Sequence, residues 1–124
     1  MRILITGGPR TGKTTLGRSL ALGAIVPLRH TDDTIDLGWS EASAEVARWI
    51  SLPGPWVIEG VAVPRALRKW LRANDGCPAE QLIVLHAPFV ELTPGQLTMT
   101  KGVWSVLAEI ASELRARGTE IVRR

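Results

Sequence analysis

Gly7-Gly8-Pro9-Arg10-Thr11-Gly12-Lys13-Thr14 is a complete G-x-x-x-x-G-K-[ST] run that begins after only six residues of chain. Such a run brings several backbone N–H groups to one point, and its glycines let the chain come close to a cluster of phosphate oxygens. Lys13 is then expected to reach the terminal phosphates and the Thr14 hydroxyl to ligate Mg²⁺. A helix that begins at this point adds the partial positive charge of its N-terminus. The flanks agree with that reading. Arg2-Ile3-Leu4-Ile5-Thr6 is a short β-branched apolar run, and Leu16, Leu20 and Ala21 follow at helical spacing. Gly7, Gly8, Pro9, Arg10, Thr11, Gly12, Lys13, Thr14 and Thr15 therefore form the candidate triphosphate site, between a first strand and a first helix.

The rest of the chain continues the alternation. Ala24 to Leu28 reads as a second strand that ends at His30-Thr31-Asp32-Asp33. Residues 41 to 51 carry Ala42, Val46, Ala47 and Ile50 in a helical pattern, with Ser40 as the expected N-cap, and Pro53-Gly54-Pro55 stops it. Trp56 to Gly60 is a third strand that closes on Glu59. Arg65 to Ala73 is a basic amphipathic helix, and Asn74-Asp75-Gly76 ends it. Gln81 to His86 has the Ile-Val-Leu content of a strand buried on both faces. Residues 102 to 117 form a long helix with Val103, Val106, Leu107, Ile110 and Leu114 inward, and Thr119 to Val122 a last strand. Strands alternating with helices imply a parallel sheet with right-handed crossovers and helices on both faces, an α/β three-layer sandwich. In such sheets ligands bind at the carboxyl ends of the strands. That rule gathers Gly7 to Thr14, His30 to Asp33, Glu59-Gly60 and His86 to Pro88.

Composition fits one domain over residues 1 to 124: the hydrophobic fraction is 45%, the charged fraction 22% and mean hydropathy +0.11. No apolar stretch approaches the roughly 20 residues that span a bilayer, and no leader pattern opens the chain, so a cytoplasmic protein is expected. Cys77 is the only cysteine, which excludes an intramolecular disulfide and multi-cysteine metal sites. His30 and His86 are too few and too far apart in sequence to argue for zinc. Net charge is +3, with a basic strip at Arg65, Arg68, Lys69 and Arg72. Phe and Tyr total one residue and the five tryptophans are scattered, which counts against stacked bases and hence against a nucleic-acid partner.

The phosphate loop after strand one, the acids after strand two, and Glu59-Gly60 with Arg65 after strand three together resemble the small P-loop kinases. That group contains adenylate, shikimate and gluconate kinases. Trp56 to Gly60, preceded by Asp32-Asp33 and Gly38-Trp39, is most similar to topology-modulation-like kinases and small phage-encoded P-loop proteins. The resemblance implies five parallel strands in the order 2-3-1-4-5. It implies ATP or GTP with Mg²⁺, and transfer of the γ-phosphoryl group to a small-molecule or nucleotide acceptor. It places Glu59 beside Thr14 around the Mg²⁺ water shell. Asp32 and Asp33 fall where relatives bind or deprotonate the acceptor hydroxyl; a turn or helix cap is the competing role, and spacing does not rank the two. Arg65 falls where an arginine grips the acceptor, with Gly60 as a further acceptor-site residue; Trp39 is expected to fill the core with the other four tryptophans or, beside Gly38, to line an acceptor pocket. A solvated helix face competes for Arg65. The histidines at strand ends are read more readily as structural hydrogen-bonding groups than as catalysts.

Two features depart from the pattern. Arg10 stands where many relatives have glycine. No arginine occurs between Arg72 and Arg115, although small kinases close an arginine-bearing lid over the phosphates there. Residues 93 to 101 are the candidate short lid, with Lys101 as the one cation to take the catalytic role. A nucleotide-binding protein or slow NTPase is therefore the alternative to a kinase, and a nucleic-acid-associated factor a weaker one.

Overall fold

A computed structural model describes all 124 residues as five strands and four α-helices in strict alternation. The order is β1 (Arg2–Gly7), α1 (Lys13–Ala24), β2 (Leu28–His30), α2 (Trp39–Ile50), β3 (Trp56–Glu59), α3 (Val63–Ala73), β4 (Gln81–Leu85), α4 (Pro94–Ala116) and β5 (Glu120–Arg123). A 3₁₀ stretch, Thr31–Leu37, joins β2 to α2. All pairs are parallel and the strand order is 2-3-1-4-5, as the resemblance implies. In register, Ile3 pairs with Val57 and Gln81, and His30 pairs with Glu59.

The period of two along each strand sorts the core into two layers. Leu4, Ile58, Leu82 and Val84 point to one face, where α2, α3 and α4 cover them with Val46, Ile50, Leu67, Trp70, Val103, Leu107, Ile110 and Leu114. Ile3, Ile5, Val57 and Ile83 point to the other, against Leu16, Leu20 and Ala21 of α1. The three-layer sandwich is therefore lopsided, with three helices on one face and one on the other. Trp56 and Trp70 are buried, and Trp49 and Trp104 pack at the core edge.

Several expected boundaries move. Helix α1 runs through Ala24 and is closed by Ile25 in the left-handed region, whose N–H turns back to the Ala21 and Leu22 carbonyls. The strand therefore starts only at Leu28. Ile25 and Val26 look like strand by content, but they form the turn out of the helix. Ser40 is not the N-cap of α2: Gly38 holds that position at φ 81°, and Ser40 lies in the first turn. The largest change is α4, which starts at Pro94. Thr93 and Gln96 close a reciprocal capping box, and Pro94 takes the first position, where its missing N–H costs nothing. Residues 94 to 101 are thus the opening turns of a 23-residue helix, not a loop preceding one.

Candidate active site

The Gly-rich loop is folded tightly against its neighbours. A Cβ on Gly7 would meet the Leu85 carbonyl oxygen at 2.5 Å and the Thr11 hydroxyl at 2.8 Å, and one on Gly8 would overlap the Thr100 side chain. Gly12 takes φ 90° at the N-cap of α1, a conformation that costs glycine little. Arg10 is also left-handed, at φ 62°, and its carbonyl accepts the Phe89 N–H at 2.9 Å. The Gly8 carbonyl accepts both the Thr11 hydroxyl at 2.9 Å and the Lys13 ammonium at 2.7 Å. Burial of Lys13 lowers its pKa below the ordinary lysine value of 10.5, while Glu59 and then Asp32 oppose the shift. The first turn of α1 holds no acidic side chain, so its N-terminal charge is left for an anion.

Glu59, at the end of β3, is 2% exposed. Its Oε1 accepts the Thr14 hydroxyl at 3.2 Å and lies 2.6 Å from His30 Nδ1. With a carboxylate as the acceptor, Nδ1 carries the proton. The β2–β3 register explains the contact, since laterally paired residues of neighbouring strands point to the same face. Gly17 of α1 makes room, because a Cβ there would lie 3.3 Å from Glu59 Cγ. Mg²⁺ takes few protein ligands and keeps several waters. An alcohol and a buried carboxylate already in contact at the foot of the phosphate loop fit that need, so Thr14 and Glu59 are the residues that would hold it.

A cavity of about 540 Å³ opens from the loop. Pro9, Arg10, Gly12, Lys13, Thr14 and Thr15 form its wall on the loop side, and Glu59 also lines it. Thr31, Asp32, Thr34, Ile35, Gly38 and Trp39 form a second wall, built by the 3₁₀ stretch and the start of α2. Val61 and Ala62 line it after β3, and Phe89, Gln96 and Met99 from the β4–α4 side. Asp32 therefore faces the cavity, whereas Asp33 is exposed outside it, a ranking that spacing alone could not give.

The remaining expected residues divide. Trp39 lines the cavity and is 59% exposed, with the Arg65 guanidinium 5.2 Å from its ring centre. Arg65 has no ion pair, while Arg68 and Arg72 both engage Glu109 and Lys69 donates to the Ser40 carbonyl. Arg65 borders the cavity through Trp39 rather than lining it. Gly60 does not line it either. It is buried where a Cβ would overlap the Thr31 side chain, so it serves close packing. Lys101 is exposed and outside the cavity: helical spacing turns Gln96 and Met99 inward and sends Lys101 to the opposite side. His30, read as a structural hydrogen-bonding group, is in direct contact with the buried carboxylate of the site. Phe89 and Ile35 were not anticipated, and Gln96 and Met99 only as part of the candidate lid at 93 to 101. The T-x-x-Q capping box at 93 to 96 was the available signal, because a helix begun there puts Gln96 and Met99 in line with the inward Val103.

This sheet order, with the Gly-rich loop at the end of the central strand, is the α/β fold that the chain shares with solved shikimate kinases. Among solved structures the chain is similar to shikimate kinase from Acinetobacter baumannii in complex with shikimate. The TM-score is 0.59 at 14% identity, covering 97% of this chain and 80% of that one. Shikimate kinase from Bacteroides thetaiotaomicron is also matched, with TM-score 0.45, 18% identity and coverage of 98% and 84%. No protein-family model matches the chain, and no curated protein does. No helix is long and apolar enough to cross a membrane.

Proposed function

We propose that this protein binds a Mg²⁺–nucleoside triphosphate on residues 7 to 15 and transfers its γ-phosphoryl group to a hydroxyl of a small molecule. The observation that carries the reading is one cavity walled on one side by the Gly-rich loop and on another by Asp32. The triphosphate draws Lys13 away from the Gly8 carbonyl and onto its terminal oxygens, where the loop N–H groups and the α1 N-terminus hold the charge. Mg²⁺, which Thr14 and Glu59 would hold, would supply charge neutralisation for the transferring phosphoryl group. His30 and Thr14 fix the Glu59 carboxylate beside the loop. Asp32 accepts the proton of the acceptor hydroxyl as its oxygen bonds to phosphorus and the bond to the leaving diphosphate breaks.

ADP formation measured against a panel of nucleosides, nucleotides, sugars and hydroxy acids, shikimate included, tests the reading. At least one acceptor should raise ADP formation above that of the bare protein; no stimulation by any member overturns it. Lys13→Ala should abolish triphosphate binding in equilibrium titration, and retained affinity would remove the phosphate site altogether.

One observation favours a second reading, a nucleotide-binding protein or slow NTPase. Arg10 and Lys13 are the only cations that line the cavity, and no arginine lies between Arg72 and Arg115. An absent arginine at the transferring group costs phosphoryl transfer roughly 10³-fold or more. Under that reading ADP forms at one slow rate whatever hydroxyl compound is added.

A further inference from the structure

The wall of the cavity beyond the phosphate loop is apolar where a kinase of polyols would need polar partners. Ile35 and Trp39 line it from one stretch of chain, Phe89 and Met99 from another, and Ala42, Val61 and Ala62 complete it. Three of these are large and open to solvent: Ile35 is 76% exposed, Trp39 59% and Phe89 68%. Apolar side chains gathered around a concave site and left uncovered mark a surface that an apolar ligand would cover.

The polar groups of this wall are few and mostly engaged. Thr34 Oγ1 donates to the Thr31 carbonyl at 2.6 Å. The Thr31 side chain packs onto Gly60, and its hydroxyl is shut off from solvent. Asp32 and the Gln96 Nε2 amide are left to contact a ligand, since Gln96 Oε1 already accepts the Thr93 N–H. A molecule with four or five hydroxyls would lose its water here and regain too few hydrogen bonds, at a cost for each one left unpaired. A flat ring with a single reacting hydroxyl has the opposite balance.

We infer that the acceptor is a planar, largely apolar ring compound bearing a hydroxyl, with the ring against Trp39 and Ile35 and the hydroxyl at Asp32. The inference rests on the kinase reading for the use made of the hydroxyl, but the ring subsite is a binding claim that stands or falls separately. Aromatic stacking on an indole, together with the area it buries, is expected to contribute about tenfold or more in affinity.

Calorimetric titration of the full chain with benzyl alcohol, 2-phenylethanol and thymidine, set against glucose, gluconate and glycerol, tests it. Ring compounds should bind more tightly than the polyols, with a negative heat-capacity change from apolar burial. Trp39→Ala and Ile35→Asn, both at exposed positions, should each weaken ring binding about tenfold or more. Leu22→Ser, on a distant exposed surface, should leave it unchanged. Tighter binding of polyols, no binding of any ring compound, or equal ring affinity in wild type and both cavity variants would overturn the inference. Ring binding without any rise in ADP formation would uphold the subsite and remove the kinase reading; stimulation by polyols alone would do the reverse.

Discussion

At the residue scale the site is organised by two charges of opposite sign, the partly buried Lys13 and the buried Glu59, held by short-range partners rather than by each other. Lys13 donates to the Gly8 carbonyl, and Glu59 accepts from His30 and Thr14. Burial sets the folded pKa of Lys13 below the 10.5 of an exposed lysine. Between those two values the unfolded chain binds the extra proton, so this lysine lowers stability at neutral pH, and the penalty fades as pH rises through the window. A triphosphate reverses the balance by supplying negative charge. Binding at alkaline pH should therefore take up a proton, and affinity should fall as pH climbs above the folded pKa. Titration calorimetry in two buffers of different ionisation enthalpy reads that uptake directly; an uptake of zero, or a release, would contradict it. Gly60 gives a second residue-scale prediction. A Cβ there collides with the Thr31 side chain, so Gly60→Ala should cost roughly 1–3 kcal/mol in denaturant unfolding, partly recovered in combination with Thr31→Ala.

At the element scale, the beginning of α4 separates what the sequence discloses from what it does not. Gly95, Thr98, Thr100 and Gly102 are weak helix formers, and a reading by propensity breaks the helix there. The capping box and the packing of Thr100 onto Gly8 override that weakness and bring Gln96 and Met99 to the cavity. Thr93→Ala should therefore cost about 1 kcal/mol of stability and speed hydrogen exchange at the Gln96 amide, which the Thr93 hydroxyl now accepts. Unchanged exchange at that amide would contradict the cap's role. The place of the Gly-rich loop between β1 and α1, by contrast, is legible, because strand, glycines and helix each leave a local signal there, although the left-handed Arg10 is not announced. The helix-to-strand error at Ala24 to Leu28 has the same origin as that at α4. Hydrophobic content suggests burial, yet Ile25 is 91% exposed, and the left-handed turn it makes is a backbone choice that its side chain does not announce.

On the scale of the whole molecule, sheet order followed from alternation and from the resemblance, and the ends of strands β1, β2 and β3 meet where that topology requires. What strand ends alone could not give is the shape of the cavity wall opposite the Gly-rich loop. Asp32 is separated from Asp33 by one step of a 3₁₀ turn, and Arg65 is set behind Trp39 by the packing of α3 against α2. These placements depend on tertiary contacts between segments far apart in sequence. They are also where phosphoryl transfer and simple hydrolysis part company, because both need the loop and only transfer needs the wall. The most direct measurement follows the γ-phosphate of labelled ATP in the presence of a stimulating acceptor. The account predicts label in an organic phosphate ester with the wild-type protein and its loss in Asp32→Asn, with triphosphate binding retained. Label recovered only as inorganic phosphate, at a rate the acceptor does not change, would contradict it.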